Sequence, residues 1–221
     1  MKALIIAAAA IVMAAGPVFA QTTQDQRAYV TAGGGVAISS DATSGDVAFE
    51  AGMRIAPNLF VFGNIGQFHN LQPSQLQPTV DSTDLTLAAS GLTVNGTARV
   101  PALHAVAGLR YEIPTSKGFS PYVLGGIGFA RLSPTAQFTY QSGTLTGFTP
   151  TVGEDVTTQL ESLGDYTQPA SSTAFMFTLG GGVDVPVAPH LMVDVGYRVS
   201  RVSADTPVSA NSFVAGFGYR F

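Results

Sequence analysis

The side chains best able to do chemistry in this chain recur at every second position. Asp46, Glu50 and Arg54 alternate with Val47, Phe49, Ala51, Met53 and Ile55, and His104, Arg110 and Glu112 alternate with Leu103, Ala105, Ala107, Leu109, Tyr111 and Ile113. Asp184 lies between Val183 and Val185. Asp194 and Arg198 oppose Val193, Val195, Tyr197 and Val199, and Arg220 lies between Tyr219 and Phe221. Period two is the side-chain period of a β-strand, so each ionisable set shares one strand face and the bulky apolar set takes the other. Four arginines then meet five carboxylates on faces of the same kind. Such a set favours ion pairing over catalysis, because a nucleophile and its base must lie within hydrogen-bond reach. The three histidines do not converge: His69 falls at a strand end, His104 in mid-strand and His190 in a turn. His104 is expected to hydrogen-bond rather than act as a base. No His or carboxylate pair has a metal-ligand spacing, and Glu154, Asp155, Glu161 and Asp165 lack the regular spacing of a calcium loop. No cofactor, metal or catalytic residue is expected.

The elements that carry these residues must be exported. Lys2, the apolar stretch Ala3 to Ala15, the breakers Gly16 and Pro17, and the small residues Val18 and Ala20 form a secretory signal peptide over residues 1–20, with cleavage between Ala20 and Gln21. Residues 21–221 suit one domain. The chain has no Cys, which excludes disulfides, thiolate metal sites and cysteine nucleophiles. Charged residues make up 11%, well below the usual share, and the net charge of −4 comes without any basic block, which excludes nucleic acid as a partner. No stretch after Ala20 approaches the ~20 apolar residues of a spanning helix, so any crossing of a membrane is made by strands.

Eight segments read as strands. Asp46 to Ile55, Ala102 to Ile113, Phe175 to Val185, Leu191 to Ser200 and Ser212 to Phe221 alternate clearly; Ala28 to Ile38, Leu59 to His69 and Tyr122 to Leu132 do so less clearly, blurred by glycines such as Gly33 to Gly35. Connections at Pro57-Asn58, Pro114 to Ser120 and Pro186 to His190 are short, and those between them are longer. That alternation is the mark of an all-β, eight-stranded antiparallel up-and-down transmembrane β-barrel. Closing a sheet in lipid turns its polar face inward. Asp46, Glu50, Arg54, His104, Arg110, Glu112, Asp184, Asp194, Arg198 and Arg220 are therefore expected to form a polar network in the lumen. The long extracellular loops span 70–97 and 133–172 and have a disordered or adaptable composition. In the second, Gln137 to Tyr140 and Thr144 to Phe148 flank a hairpin-like Ser142-Gly143, which leaves a count of ten strands open, and Asp155 to Leu163 could form a short helix. Tyr111, Tyr122, Tyr197 and Tyr219, near strand ends, suit an interfacial girdle as well as ordinary packing.

The Pro121-Tyr122-Val123 and Gly125-Gly126-Ile127-Gly128 stretch, the strand Val193-Asp194-Val195-Gly196-Tyr197-Arg198 and the ending Gly218-Tyr219-Arg220-Phe221 resemble small outer-membrane β-barrel proteins of Gram-negative bacteria, of the group around outer-membrane proteins A and X. The resemblance implies residence in the outer membrane. It also implies contact with lipid and lipopolysaccharide, passage through periplasmic chaperones and the barrel-assembly machinery, and an assembly signal at Phe213, Phe217, Tyr219 and Phe221. The chain ends at the barrel, so direct cell-wall anchoring is not implied. A lumen of eight strands is just wide enough to fill with side chains. The leading functional reading is a structural, surface-interaction protein that works through its loops on an unidentified ligand. A narrow porin-like channel is the alternative, and an outer-membrane enzyme built near His69, where Ser and Asp abound, is a third class.

Overall fold

A computed structural model describes residues 27–39, 42–71, 74, 76–115 and 118–221; the expected signal peptide and its Ala20–Gln21 cleavage position lie outside the described residues. In chain order the elements are β1 (Ala28–Ser39), β2 (Thr43–Ala56), β3 (Leu59–Phe68), α1 (Gln77–Ala89), β4 (Leu92–Arg99), β5 (Ala102–Glu112), β6 (Ser120–Leu132), β7 (Thr135–Gly143), α2 (Thr157–Leu163), β8 (Ser172–Pro186), β9 (Leu191–Ser203) and β10 (Val208–Arg220). Eight strands close in the order β1-β10-β9-β8-β6-β5-β3-β2, every pair antiparallel. All eight segments expected from alternation are these eight strands.

The count of ten strands resolves in an unexpected way. Ten are present among the described residues, but β4 and β7 pair with each other outside the barrel, and β7 adds a bridge between Thr139 and Asp155 on its other edge. The described residues of the two long connections therefore carry regular elements, where composition suggested disordered or adaptable loops. The reason is a pairing of residues far apart in sequence: Leu92 opposite Gly143 at one end and Arg99 opposite Thr135 at the other. Neither strand buries a face until the other arrives. α1 then lays Val80 and Leu87 against β4, and Phe138, Val156 and Leu160 complete a small core, all buried. The helix anticipated at Asp155 to Leu163 forms as α2, and it ends at Gly164 with φ 81, the left-handed cap that glycine adopts freely.

Around the barrel the pleat sorts side chains as lipid requires. Val47, Met53, Leu109, Val123, Ile127, Phe129, Leu179, Val195 and Phe217 point outward and are exposed on the isolated chain. Tyr111, Tyr197 and Tyr219 lie on the same outer surface, whereas Tyr122 points into the lumen, contrary to the girdle expectation. The glycines of β6 hide its parity, but Tyr122 shares the inward face with Leu124, opposite the exposed Val123. The barrel closes where β1 meets β10, with Gly33 opposite Gly216. A Cβ on Gly216 would stand 2.5 Å from the carbonyl oxygen of Ala32, and one on Gly33 would stand 2.6 Å from that of Ala215, so this seam accepts only glycine. Replacing Gly216 by Val is expected to abolish the folded species seen as a shift between unboiled and boiled samples on a gel. Gly63→Ala, where a Cβ meets nothing within 4 Å, is expected to fold as the parent does.

Candidate functional site

Inward-facing side chains stack in layers along the lumen. At the extracellular end, Phe68, Leu132, Met176 and Val202 are buried together with Ala102, Ala130 and Ala210. Below them lie His104, Asn64, Asp46, Thr178, Ser200 and Ser212, then an ionic layer centred on Arg110, and finally Arg220 near the short-turn end. All ten of the residues expected in the lumen occupy inward-facing positions: Asp46, Glu50 and Arg54 on β2; His104, Arg110 and Glu112 on β5; Asp184 on β8; Asp194 and Arg198 on β9; Arg220 on β10.

Arg110 organises the ionic layer. Its side chain is fully buried and bonds Asp184 through Nη2, while Nη1 lies 3.5 Å from Glu50 and 3.9 Å from Asp194. Arg198 meets the other oxygen of Glu50 at 2.9 Å, and Arg220 bridges Glu112 at 2.9 Å and Asp184 at 2.5 Å. Glu50 thus takes two arginines and also accepts from Tyr29 Oη at 2.8 Å and from Asn64 Nδ2 at 3.4 Å. His104 joins the edge of this layer, with Nε2 3.2 Å from Asn64 Oδ1. Arg54 lies lower, its guanidinium 5.3 Å from the Phe60 ring centroid.

Two aromatic members were not legible as lumen groups. The Arg110 guanidinium carbon lies 3.6 Å from the Tyr122 ring centroid and 4.6 Å from that of Tyr29. Two π faces therefore replace water around a cation, each contact worth up to ~2 kcal/mol when desolvated. Tyr29 could have been found from its parity with Thr31 in β1, but the glycine run after it erases the pattern.

The extracellular subdomain has its own polar chemistry, directed at the strand edges. Gln77 of α1 accepts from the Ala98 amide at 2.9 Å and donates to the Gly96 carbonyl at 3.3 Å, and Asp84 accepts from the Gly96 amide at 2.8 Å. On the other strand, Gln168 accepts from the Ala136 amide at 2.9 Å and donates to its carbonyl at 2.7 Å. These side chains take the hydrogen bonds that a further strand would make. Partial burial pushes the Asp84 carboxyl up, opposed by its bond from Gly96. Asp155 is held below the usual carboxylate range, because Thr157 donates to it from both hydroxyl (2.6 Å) and amide (3.0 Å). Burial raises the Tyr166 phenol, whose ring packs edge-on to Phe138.

The histidines stay apart: His69 lies exposed at the extracellular end against the Gly45 carbonyl, His104 is in the lumen, and His190 stacks on Tyr219 at a short turn. Phe213, Phe217, Tyr219 and Phe221 form an exposed outer ridge on the last strand.

Removing Arg110 takes from Asp194 its one arginine within 4.0 Å among the described residues and leaves Glu50 and Asp184 with one arginine each, Arg198 and Arg220. Arg110→Met is expected to destabilise the refolded barrel by about 3–5 kcal/mol in urea titrations. Adding Asp184→Asn should return part of that loss; additive losses in the double variant would contradict direct coupling.

The family model for the outer membrane protein β-barrel domain matches residues 6–221. Among solved structures, the chain is similar to Neisserial surface protein A of Neisseria, with TM-score 0.55 and 19% identity over 88% of this chain and 97% of that one. It is also similar to a major outer membrane protein from Thermus thermophilus, with TM-score 0.49 and 15% identity over 88% and 99% of the two chains. The attachment invasion locus protein of Yersinia pestis matches with TM-score 0.47 and 15% identity over 90% and 100%. No curated protein matches the chain. At these identities the first of the structures speaks for the fold alone. With a family model spanning nearly the whole sequence and the closed eight-stranded barrel beneath it, the chain belongs to the outer membrane protein β-barrel family and resides in the outer membrane.

Proposed function

We propose that this protein is a surface-interaction protein in which a sealed barrel holds an extracellular subdomain against a ligand outside the cell. The observation that carries this reading is the buried apolar packing of Val80, Phe138, Val156 and Leu160, which extends the core beyond the barrel strands into the long connections. A barrel that only conducted or only stiffened the membrane has no need of it. Loops on a rigid scaffold are where binding usually resides. Because Gln77, Asp84 and Gln168 occupy the edges of the β4–β7 sheet, a partner is more readily met by the face than by strand addition. One groove there, of about 640 Å³, is lined by Arg99, Gln137, Asp155, Thr158, Glu161 and Gln168 among others. That volume lies within the range of ligand pockets.

Two layers count against conduction. The fully buried Arg110 and its carboxylates fill the lower lumen, and Phe68, Leu132, Met176 and Val202 fill the upper. Excising residues 76–99 and 135–169 and joining the ends with short Gly-Ser linkers is expected to leave a heat-modifiable barrel in the outer membrane. The same trimming should abolish attachment of the producing cells to lipopolysaccharide-coated or host-cell surfaces. Attachment equal to that of the full chain would refute the reading. In planar bilayers the purified full chain should show no reproducible current steps, and steps shared by independent preparations would favour the channel instead.

We also infer that the last strand carries the assembly signal, with lipopolysaccharide and the assembly machinery as partners in insertion. Its ridge of Phe213, Phe217, Tyr219 and Phe221 is exposed, and Phe221 exchanges backbone hydrogen bonds with Arg27 and Ala28 at the closing seam, at 2.7 and 2.8 Å. Deleting Phe221 should lower the amount of folded protein in isolated outer membranes several-fold while leaving detergent refolding of the purified chain largely intact. Normal accumulation in cells would sink this assignment.

A further inference from the structure

Five carboxylates face the lumen, and one of them stands apart from the arginines. Glu50, Glu112, Asp184 and Asp194 each have an arginine nitrogen within 4.0 Å. Asp46, only 5% exposed, has no ion pair among the described residues, and its Oδ1 has no hydrogen-bond partner. Ser212, 1% exposed, also has an unpartnered side-chain oxygen. The two residues flank β1 on opposite sides: Asp46 is paired with Gly35, and Ser212 with Ala37, two residues farther along. Gly35 places no side chain between them.

Both residues line a chamber of about 40 Å³ lying between the apolar layer and the Arg110 layer. A single water needs roughly 10–15 Å³ by this measure, so the chamber has room for about three particles of that size. The other charged or titratable groups facing it are Glu50, His104, Asp194 and Arg198, and Arg198 is engaged by Glu50 at 2.9 Å. An ionised carboxylate buried without a partner costs several kcal/mol. It must acquire a proton or a counter-ion.

We propose that the chamber beside Asp46 binds one small monovalent cation, held by the Asp46 carboxylate and the Ser212 hydroxyl, with water completing its shell. The room available, the oxygen ligands and a lone carboxylate without an arginine suit an alkali ion such as sodium or potassium. Hard divalent cations demand more oxygen ligands than two side chains supply. The site places a counter-ion one layer above the ion pairs, where it shields Glu50 and Asp194 from the charge of Asp46.

The test uses the full mature chain refolded in zwitterionic detergent at pH 8, unfolded by urea in sodium, potassium or tetramethylammonium chloride at equal ionic strength. Tetramethylammonium is too large for the chamber. At an alkali-ion concentration about ten times its Kd, the folding equilibrium is expected to shift about tenfold towards the folded barrel, saturating with concentration. Asp46→Asn should fold and lose the response, and Ser212→Ala should weaken it. If Asp46→Asn does not refold, sodium-23 relaxation of the parent protein against Ser212→Ala reads binding directly, with excess relaxation expected in the parent alone. Equal stability in the three salts, a response that persists in Asp46→Asn, or no excess relaxation would overturn the proposal. Stability that rises on acidification without any alkali-ion response would do so as well, since it would mean that Asp46 carries a proton.

Discussion

Hydrocarbon offers no hydrogen bonds to a peptide backbone, and everything else in this molecule answers to that constraint. A sheet crossing lipid cannot leave an edge, so β1 must find β10. Closing eight strands fixes a narrow lumen, and a narrow lumen admits only small residues, or large ones packed in registered layers. Gly33 opposite Gly216 at the seam is the first result. The inside-out sorting of side chains is the second. Apolar residues that a soluble sheet would hide are turned to lipid, which leaves the interior to the polar set.

Once the interior is polar and dry, its charges must neutralise one another, because a lone buried ion costs more than a paired one. Arg110 is the pivot of that arrangement. It reaches carboxylates from β2, β5, β8 and β9, and Tyr29 and Tyr122 cover its faces from β1 and β6. A single guanidinium therefore ties six of the eight barrel strands together across the lumen. Arginine suits this place because its planar fork keeps its charge and offers five donors in fixed directions.

Much of this was legible in the sequence because the membrane imposes a strict period of two. Asp46, Glu50 and Arg54 lie on one face of β2 simply because they are four residues apart in an extended strand, and the same parity placed Arg110, Asp194 and Arg198. Parity fails where glycine removes the side chain that marks it, which is why Tyr29 has no face from sequence and Tyr122 reads as a girdle candidate although it points inward. It fails differently in the extracellular segments. In β4, Leu92, Val94 and Ala98 alternate cleanly, but Asn95-Gly96 in their midst is a turn signal. Gly96 serves another purpose: a Cβ there would run into Val80 and Asp84 of α1. α1 itself buries only Val80 and Leu87 along its length, and its Thr-, Ser- and Asp-rich sequence carries too sparse a stripe to announce a helix.

The same backbone constraint is met by two devices on either side of the membrane surface. Within lipid the sheet closes. Outside it β4 and β7 remain a two-stranded ribbon whose edges would invite pairing with any extended chain. There edge groups are taken by the side chains of Gln77, Asp84, Gln168 and Thr157 and, along β7, by the backbone of Gly153, Glu154 and Val156. A side-chain amide presents a donor and an acceptor in nearly the geometry of a peptide, so glutamine can stand in for a neighbouring strand without continuing the sheet. This accounts for the composition of the long connections. Some of their Gln, Thr and Asp residues, which from sequence alone read as adaptable and solvated, cap backbone groups at the ribbon's edges. An extracellular unit built this way keeps its core and its edges to itself and presents to its surroundings only a face and a polar groove.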